Sequence, residues 1–99
     1  MVNMNLTQFH ATKAQAQKLA RKIGLQYKRT FSDSRKGGWR YKFWAVEPGE
    51  TADGFFTALT GLFAHQDNVT VYFSPMYSRD FDGKVIKLVN FYVQFRNVR

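Results

Sequence analysis

The sequence predicts an α+β domain, a two-layer sandwich with two helices on one face of an antiparallel β-sheet, in the order (β)αββαββ. Three observations carry this expectation. Two segments repeat apolar side chains at helical spacing. Four others alternate apolar and polar residues with the period of a strand. Glycine-containing hairpin signals separate the strands within each pair. Residues 1–99 read as a single domain, because no repeat, low-complexity segment or linker interrupts them and Pro48 and Pro75 are the only prolines.

Each element follows from its own residues. "VNMNLTQF" (2–9) is an optional short first strand, which would complete a ferredoxin-like βαββαβ pattern with one further strand. Thr12 is a good N-cap for "TKAQAQKLARKIG", in which Ala16, Leu19, Ala20 and Ile23 form one stripe and Gly24 suits the C-terminal cap. "LQYKRTFSD" (25–33) alternates with Leu25, Tyr27 and Phe31 on one face, although Arg29 interrupts that face. "GGWRYKFWAVE" (37–47) sets Trp39, Tyr41, Phe43 and Ala45 against Arg40, Lys42, Trp44 and Val46. The intervening "SDSRKGG" reads as a hairpin loop with positive-φ positions at Gly37 and Gly38.

Thr51 is the expected N-cap of a second helix, with Phe55, Leu59 and Leu62 on its stripe and Phe56 and Phe63 beside it. Gly54 and Gly61 weaken that helix by about 1 kcal/mol each relative to Ala, and would permit close packing on a sheet. Strands follow at 68–77 and 85–98, joined through the hairpin signal Asp82-Gly83. If the last strand lies at a sheet edge, it offers a route to a homodimer by strand pairing; otherwise the chain is a monomer.

Composition narrows the function. Ten Phe, five Tyr and two Trp supply a core, while the absence of cysteine excludes disulfides and thiolate metal sites. That suits a reducing cytoplasm. No apolar run is long enough for a membrane-spanning helix, and "MVNMNLTQFH" lacks the features of a secretory signal. Residues 1–49 hold ten Lys/Arg and two acids, whereas residues 50–99 hold five of each, so the whole +8 excess lies in the first half. Such segregation is the footprint of an anionic partner.

Burial cost assigns the sheet faces. Placing Lys28, Arg40 and Lys42 inward would bury charges without partners, so Tyr41, Phe43, Val93 and their parity mates face the helices. The open face then carries Lys28, Thr30, Arg40, Lys42, Trp44, Thr70, Tyr72, Asn90, Tyr92, Gln94 and Arg96. Cations there can neutralise phosphates, and Trp44, Tyr72 and Tyr92 can stack on bases. Arg35 and Lys36 extend the set at the hairpin, and Lys13, Lys18, Arg21 and Lys22 add a basic helix face on the opposite layer. The β3 signature of the RNA-recognition motif does not fit: aligning Trp39, Tyr41 and Trp44 to its aromatic positions puts Gly37 where Lys or Arg belongs and turns Arg40 and Lys42 inward.

Catalytic signals are weak. His10 and His65 have no metal-ligand spacing, and Asp80 and Asp82 read as turn residues rather than as a Mg²⁺ pair. No P-loop or glycine elbow is present. The expectation is therefore a non-enzymatic nucleic-acid-binding protein without cofactor or metal. The alternative is a small adaptor or inhibitor that docks on an acidic protein or nucleoprotein complex.

Overall fold

In the computed structural model, which describes residues 3–99, the chain runs α1 (Leu6–Ile23), β1 (Thr30–Arg35), β2 (Gly38–Val46), α2 (Glu50–Leu62), β3 (Val69–Arg79) and β4 (Val85–Arg96). The strands form one antiparallel sheet in the order β1-β2-β4-β3, with both helices on one face. No helix among the described residues is long and apolar enough to cross a membrane.

The expected first strand is not formed among the described residues. Its start at Val2 lies outside the described residues, and from Leu6 onward the chain is already helical. A capping box starts α1: the Gln8 N–H donates to the Asn5 side chain at 2.8 Å, and the Asn5 N–H donates to Gln8 Oε1 at 2.9 Å. Thr12 is thus an interior residue, and its hydroxyl donates to the Phe9 carbonyl at 2.7 Å. What remains of the ferredoxin-like addition is an isolated parallel bridge between Met4 and Val98. Gly24 closes the helix at φ 85°, and the Leu25 N–H reaches back to the Ala20 carbonyl at 2.9 Å.

Helix α2 starts two residues earlier than Thr51 as N-cap would allow. Gly49 caps it at φ 147°, where a side chain is strained, and Glu50 and Asp53 complement the helix dipole. Ala52, Phe55 and Leu59 are buried, but Leu62 is exposed because the helix ends there and Phe63 turns in against Phe95 instead. A Cβ on Gly54 or Gly61 would meet open space, so neither serves close packing. The glycine that does is Gly38, where a Cβ would collide with the Phe95 carbonyl of β4.

The turn between β1 and β2 sets the register of the edge strand. Lys36 (φ 37°) and Gly37 (φ 81°) make a two-residue hairpin that pairs Arg35 with Gly38. Counting back from that pair puts Thr30 opposite Phe43, Phe31 opposite Lys42 and Ser32 opposite Tyr41. Phe31 therefore lies on the open face and Thr30 on the helix face, the reverse of the sequence expectation. Upstream, Lys28 and Arg29 both hydrogen-bond the Trp44 backbone. Two residues opposing one shifts the alternation, so Arg29 joins the open face while Tyr27 stays against Phe43 at 5.1 Å.

Strand β2 contains an irregularity of its own. Its pairing with β4 shifts between Phe43 and Val46, Ala45 has φ 54°, and Val46 turns into the core at 1% exposure. Buried Asn90 accepts the Ala45 N–H at 3.1 Å and so satisfies the bulge. From Val89 to Arg96 strand β4 lies between β2 and β3, so only its first residues, 85–88, are unpaired on one side.

Cross-strand rows build the core: Ser34–Trp39–Phe95–Val69, Ser32–Tyr41–Val93–Val71 and Thr30–Phe43–Phe91–Phe73. Phe9 of α1 and Phe55 of α2 fill the space above them. Tyr41 is fully buried, and its hydroxyl makes no hydrogen bond of ordinary geometry among the described residues. Burial pushes its phenol well above the usual range, with the neighbouring Thr12 hydroxyl a smaller opposing influence. The unfolded chain therefore loses this proton first as the pH rises. The stability held by neutral Tyr41 is intact below about pH 10 and falls above it, by up to about 1.4 kcal/mol per pH unit. Urea midpoints measured upward from neutral pH should fall more steeply for the wild type than for Tyr41→Phe; parallel curves would contradict this.

Candidate nucleic-acid interface

The open face is best described by its rows. One row crosses the whole sheet as Phe31, Lys42, Tyr92 and Tyr72. The next is Asp33, Arg40, Gln94 and Thr70. Beyond the first, Arg29 lies over Trp44 where the β2 bulge begins. Antiparallel pairing brings side chains that are far apart in sequence into contact along each row.

Cations and rings interleave on this surface. Lys42 Nζ stands 4.1 Å from the Trp44 ring centroid and 5.4 Å from that of Tyr92. The Arg29 guanidinium lies 4.7 Å from Trp44, and the Arg40 guanidinium 5.0 Å from Tyr92. Such contacts orient a cation without consuming its hydrogen-bond donors. Arg40 is also braced: Nε donates to Asp33 Oδ1 at 3.1 Å and Nη1 to the Tyr72 hydroxyl at 3.2 Å. Burial works against the Arg40 charge, but the bonds to Tyr72 and Asp33 and the Asp33 charge outweigh it, so its pKa is raised. Asp33 also accepts Arg35, at 3.0 Å, in a more exposed pair. Arg29 and Lys42 have no carboxylate partner among the described residues.

The rings are less free than the cations. Tyr72 and Tyr92 stack on each other at 4.8 Å and 7°. Trp44 is half-buried beneath Arg29 and Lys42, Phe31 meets it edge-on at 6.1 Å, and its indole N–H is buried without a partner among the described residues. All three stacking candidates are therefore engaged with neighbours.

Of the residues singled out from sequence, the structure brings together Arg40, Lys42, Trp44, Tyr72 and Tyr92. Arg96 lies at one end of the sheet, where its guanidinium donates to Thr70 Oγ1 at 3.2 Å and to the Asp67 carbonyl. Lys28 is outside the cluster and lines a groove with Tyr27, Ala45 and Glu47. Arg35 and Lys36 occupy the hairpin tip. Lys18, Arg21 and Lys22 are exposed on α1, across the sheet from the open face. Lys13 is different again: Nζ donates to Ser32 Oγ at 2.7 Å over β1, and burial lowers its pKa.

Two members of the open face, Arg29 and Phe31, were missed by sequence reasoning. The signal for Arg29 was present in its interruption of an otherwise apolar alternation. Phe31 carried none, because its face depends on the hairpin register. Asp80 serves its turn, accepting the N–H groups of Asp82 (3.0 Å) and Lys84 (2.8 Å), and among the described residues no group of three or more His, Asp or Glu is placed to hold a metal ion. A scan against protein-family models, a search of curated proteins and a search of solved structures each find no match to this chain.

Proposed function

We propose that this protein binds nucleic acid, without catalysis, through the open face of its sheet. The supporting observation is the set Arg29, Arg40 and Lys42, three cations held over Trp44 and Tyr92, with Asp33 as the acid among them. Positioned cations release counterions from a phosphate backbone, and this term dominates affinity. Because Tyr72 and Tyr92 already stack on one another, the face works first by phosphate contact, with base stacking secondary. A cytoplasmic location goes with this reading, since the cysteine-free sequence has no disulfide to maintain.

The test is fluorescence anisotropy with labelled single- and double-stranded DNA and RNA over a series of salt concentrations. Three phosphate contacts should give a log–log slope of about −2.7 on a duplex and about −2 on a single strand. Absence of binding at low salt would refute the proposal. It would favour the acidic-protein alternative, which capture from nuclease-treated lysate would then pursue.

A further inference from the structure

Strands β3 and β4 extend beyond the rest of the sheet. The pairing of β2 with β4 stops at Val46 and Val89, so residues 76–79 and 85–88 pair only with each other. They form a two-stranded arm that contributes to a molecule 50 Å long and 17 Å thick. Its tip is a turn in which the Gly83 N–H donates to the Asp80 carbonyl at 3.0 Å and Gly83 takes φ 78°.

The arm is unusually apolar for an exposed ribbon. Tyr77, Phe81 and Val85, with exposures of 67%, 110% and 53%, are exposed large apolar residues of the arm, and Phe73 at its base, packed edge-on against Phe56, is 54% exposed. Ribbon parity places Phe73, Tyr77 and Val85 on the side that faces the helices nearer the body, whereas the other side carries Met76, Ile86 and Leu88, which are half-buried. A two-stranded ribbon is at best marginally stable by itself, and a concentrated apolar surface marks an interaction site. Where the arm leaves the body, Pro48, Ala52, Asp53, Phe56, Phe73 and Val89 line a small apolar notch.

We propose that the arm is a homodimerisation element, in which the helix-side face of one arm packs into the notch and against the arm of a second copy. Charge selects this occupant. The arm's cations are Arg79, Lys84 and Lys87, while Asp53 lines the notch, and Glu47 and Glu50 flank Pro48 and Gly49 beside it. None of these three acids has an ion-pair partner among the described residues. Arg79 and Lys87 share the face of Tyr77 and Val85, so that face and the acid-rimmed notch are self-complementary and a two-fold axis uses the match twice. Nucleic acid fits the arm poorly, because Asp80 and Asp82 sit at its tip and the excess positive charge lies elsewhere. Contact is face to face: Pro75 lies in the middle of the outer strand β3, Lys84 and Lys87 lie along the opposite edge of the arm, and edge prolines and lysines discourage strand addition.

Sedimentation equilibrium of the full chain tests the proposal. The wild type should give a dimer mass at high concentration and dissociate on dilution. Tyr77→Asp combined with Val85→Asp should give a monomer with unchanged circular dichroism and Tm. Lys87→Asp should raise the dimer Kd by about tenfold, a loss that Asp53→Lys on the same chain largely recovers. A monomeric wild type at about 1 mM would overturn the proposal. So would a dimer indifferent to the Tyr77 and Val85 changes. Loss of nucleic-acid binding in the double variant, with no change in mass, would overturn it too and put nucleic acid on the arm.

Discussion

Phe95→Ala should destabilise the protein by about 3–5 kcal/mol, a large share of the roughly 5–15 kcal/mol that holds a small domain folded. The Phe95 ring is fully buried and lies 5.7 Å from Phe9 of α1, 6.1 Å from Tyr41 of β2 and 5.5 Å from Phe63 at the end of α2. Truncation would open a cavity where both helices meet the sheet. The neighbours cannot collapse into it easily, because Gly38 already brings the β2 backbone against the Phe95 carbonyl. Urea denaturation monitored by circular dichroism measures the effect as a lower midpoint. A loss below about 1 kcal/mol would mean that the aromatic cluster repacks as a fluid, contrary to the close packing of protein interiors.

The second large effect concerns binding. Replacing Arg29, Arg40 and Lys42 together by alanine should reduce the magnitude of the duplex salt slope by about 2.7 and abolish measurable binding at physiological salt. The matched control replaces Lys18, Arg21 and Lys22 on α1, and its slope should stay at the wild-type value. Both variants remove three positive charges, so net charge cannot explain a difference between them. The converse result would move the interface to α1. Lys28→Ala should be nearly silent, although its sequence position suggests otherwise. Its side chain lies outside the cluster, whereas Arg29 lies over Trp44.

These predictions separate what could be read along the chain from what could not. The faces of β2 up to Phe43 and of β4 were legible: Arg40 and Lys42 forbid burial of the other face of β2, and in β4 Phe91, Val93 and Phe95 alternate with Tyr92 and Gln94. The apolar stripe of α1 was legible for the same reason. Its start was written in the sequence too, as Asn5 followed three residues later by Gln8, but the alternation of "VNMNLTQF" masked it. Phe31 illustrates the opposite case. Its environment depends on how many residues the Lys36 and Gly37 turn consumes, and a shift of one residue exchanges the faces of the entire strand. The Ala45 bulge is similar, because it depends on Asn90, 45 residues away, to satisfy its N–H.

The candidate site divides along the same line. Its chemistry, basic and aromatic residues on one sheet face, was determined by sequence, because charge and period-two alternation are local properties. Its composition was decided by tertiary structure: Arg29 enters and Lys28 leaves through a pairing irregularity, and cross-strand contact turns Tyr72 and Tyr92 from two separate platforms into one stacked pair. The arm belongs wholly to the second category. Residues 76–88 resemble any hairpin in sequence, and only the point where β2 ends leaves them unsupported. Alternation along one strand reports which way each side chain points, whereas the length of a neighbouring strand reports whether anything is there to cover it.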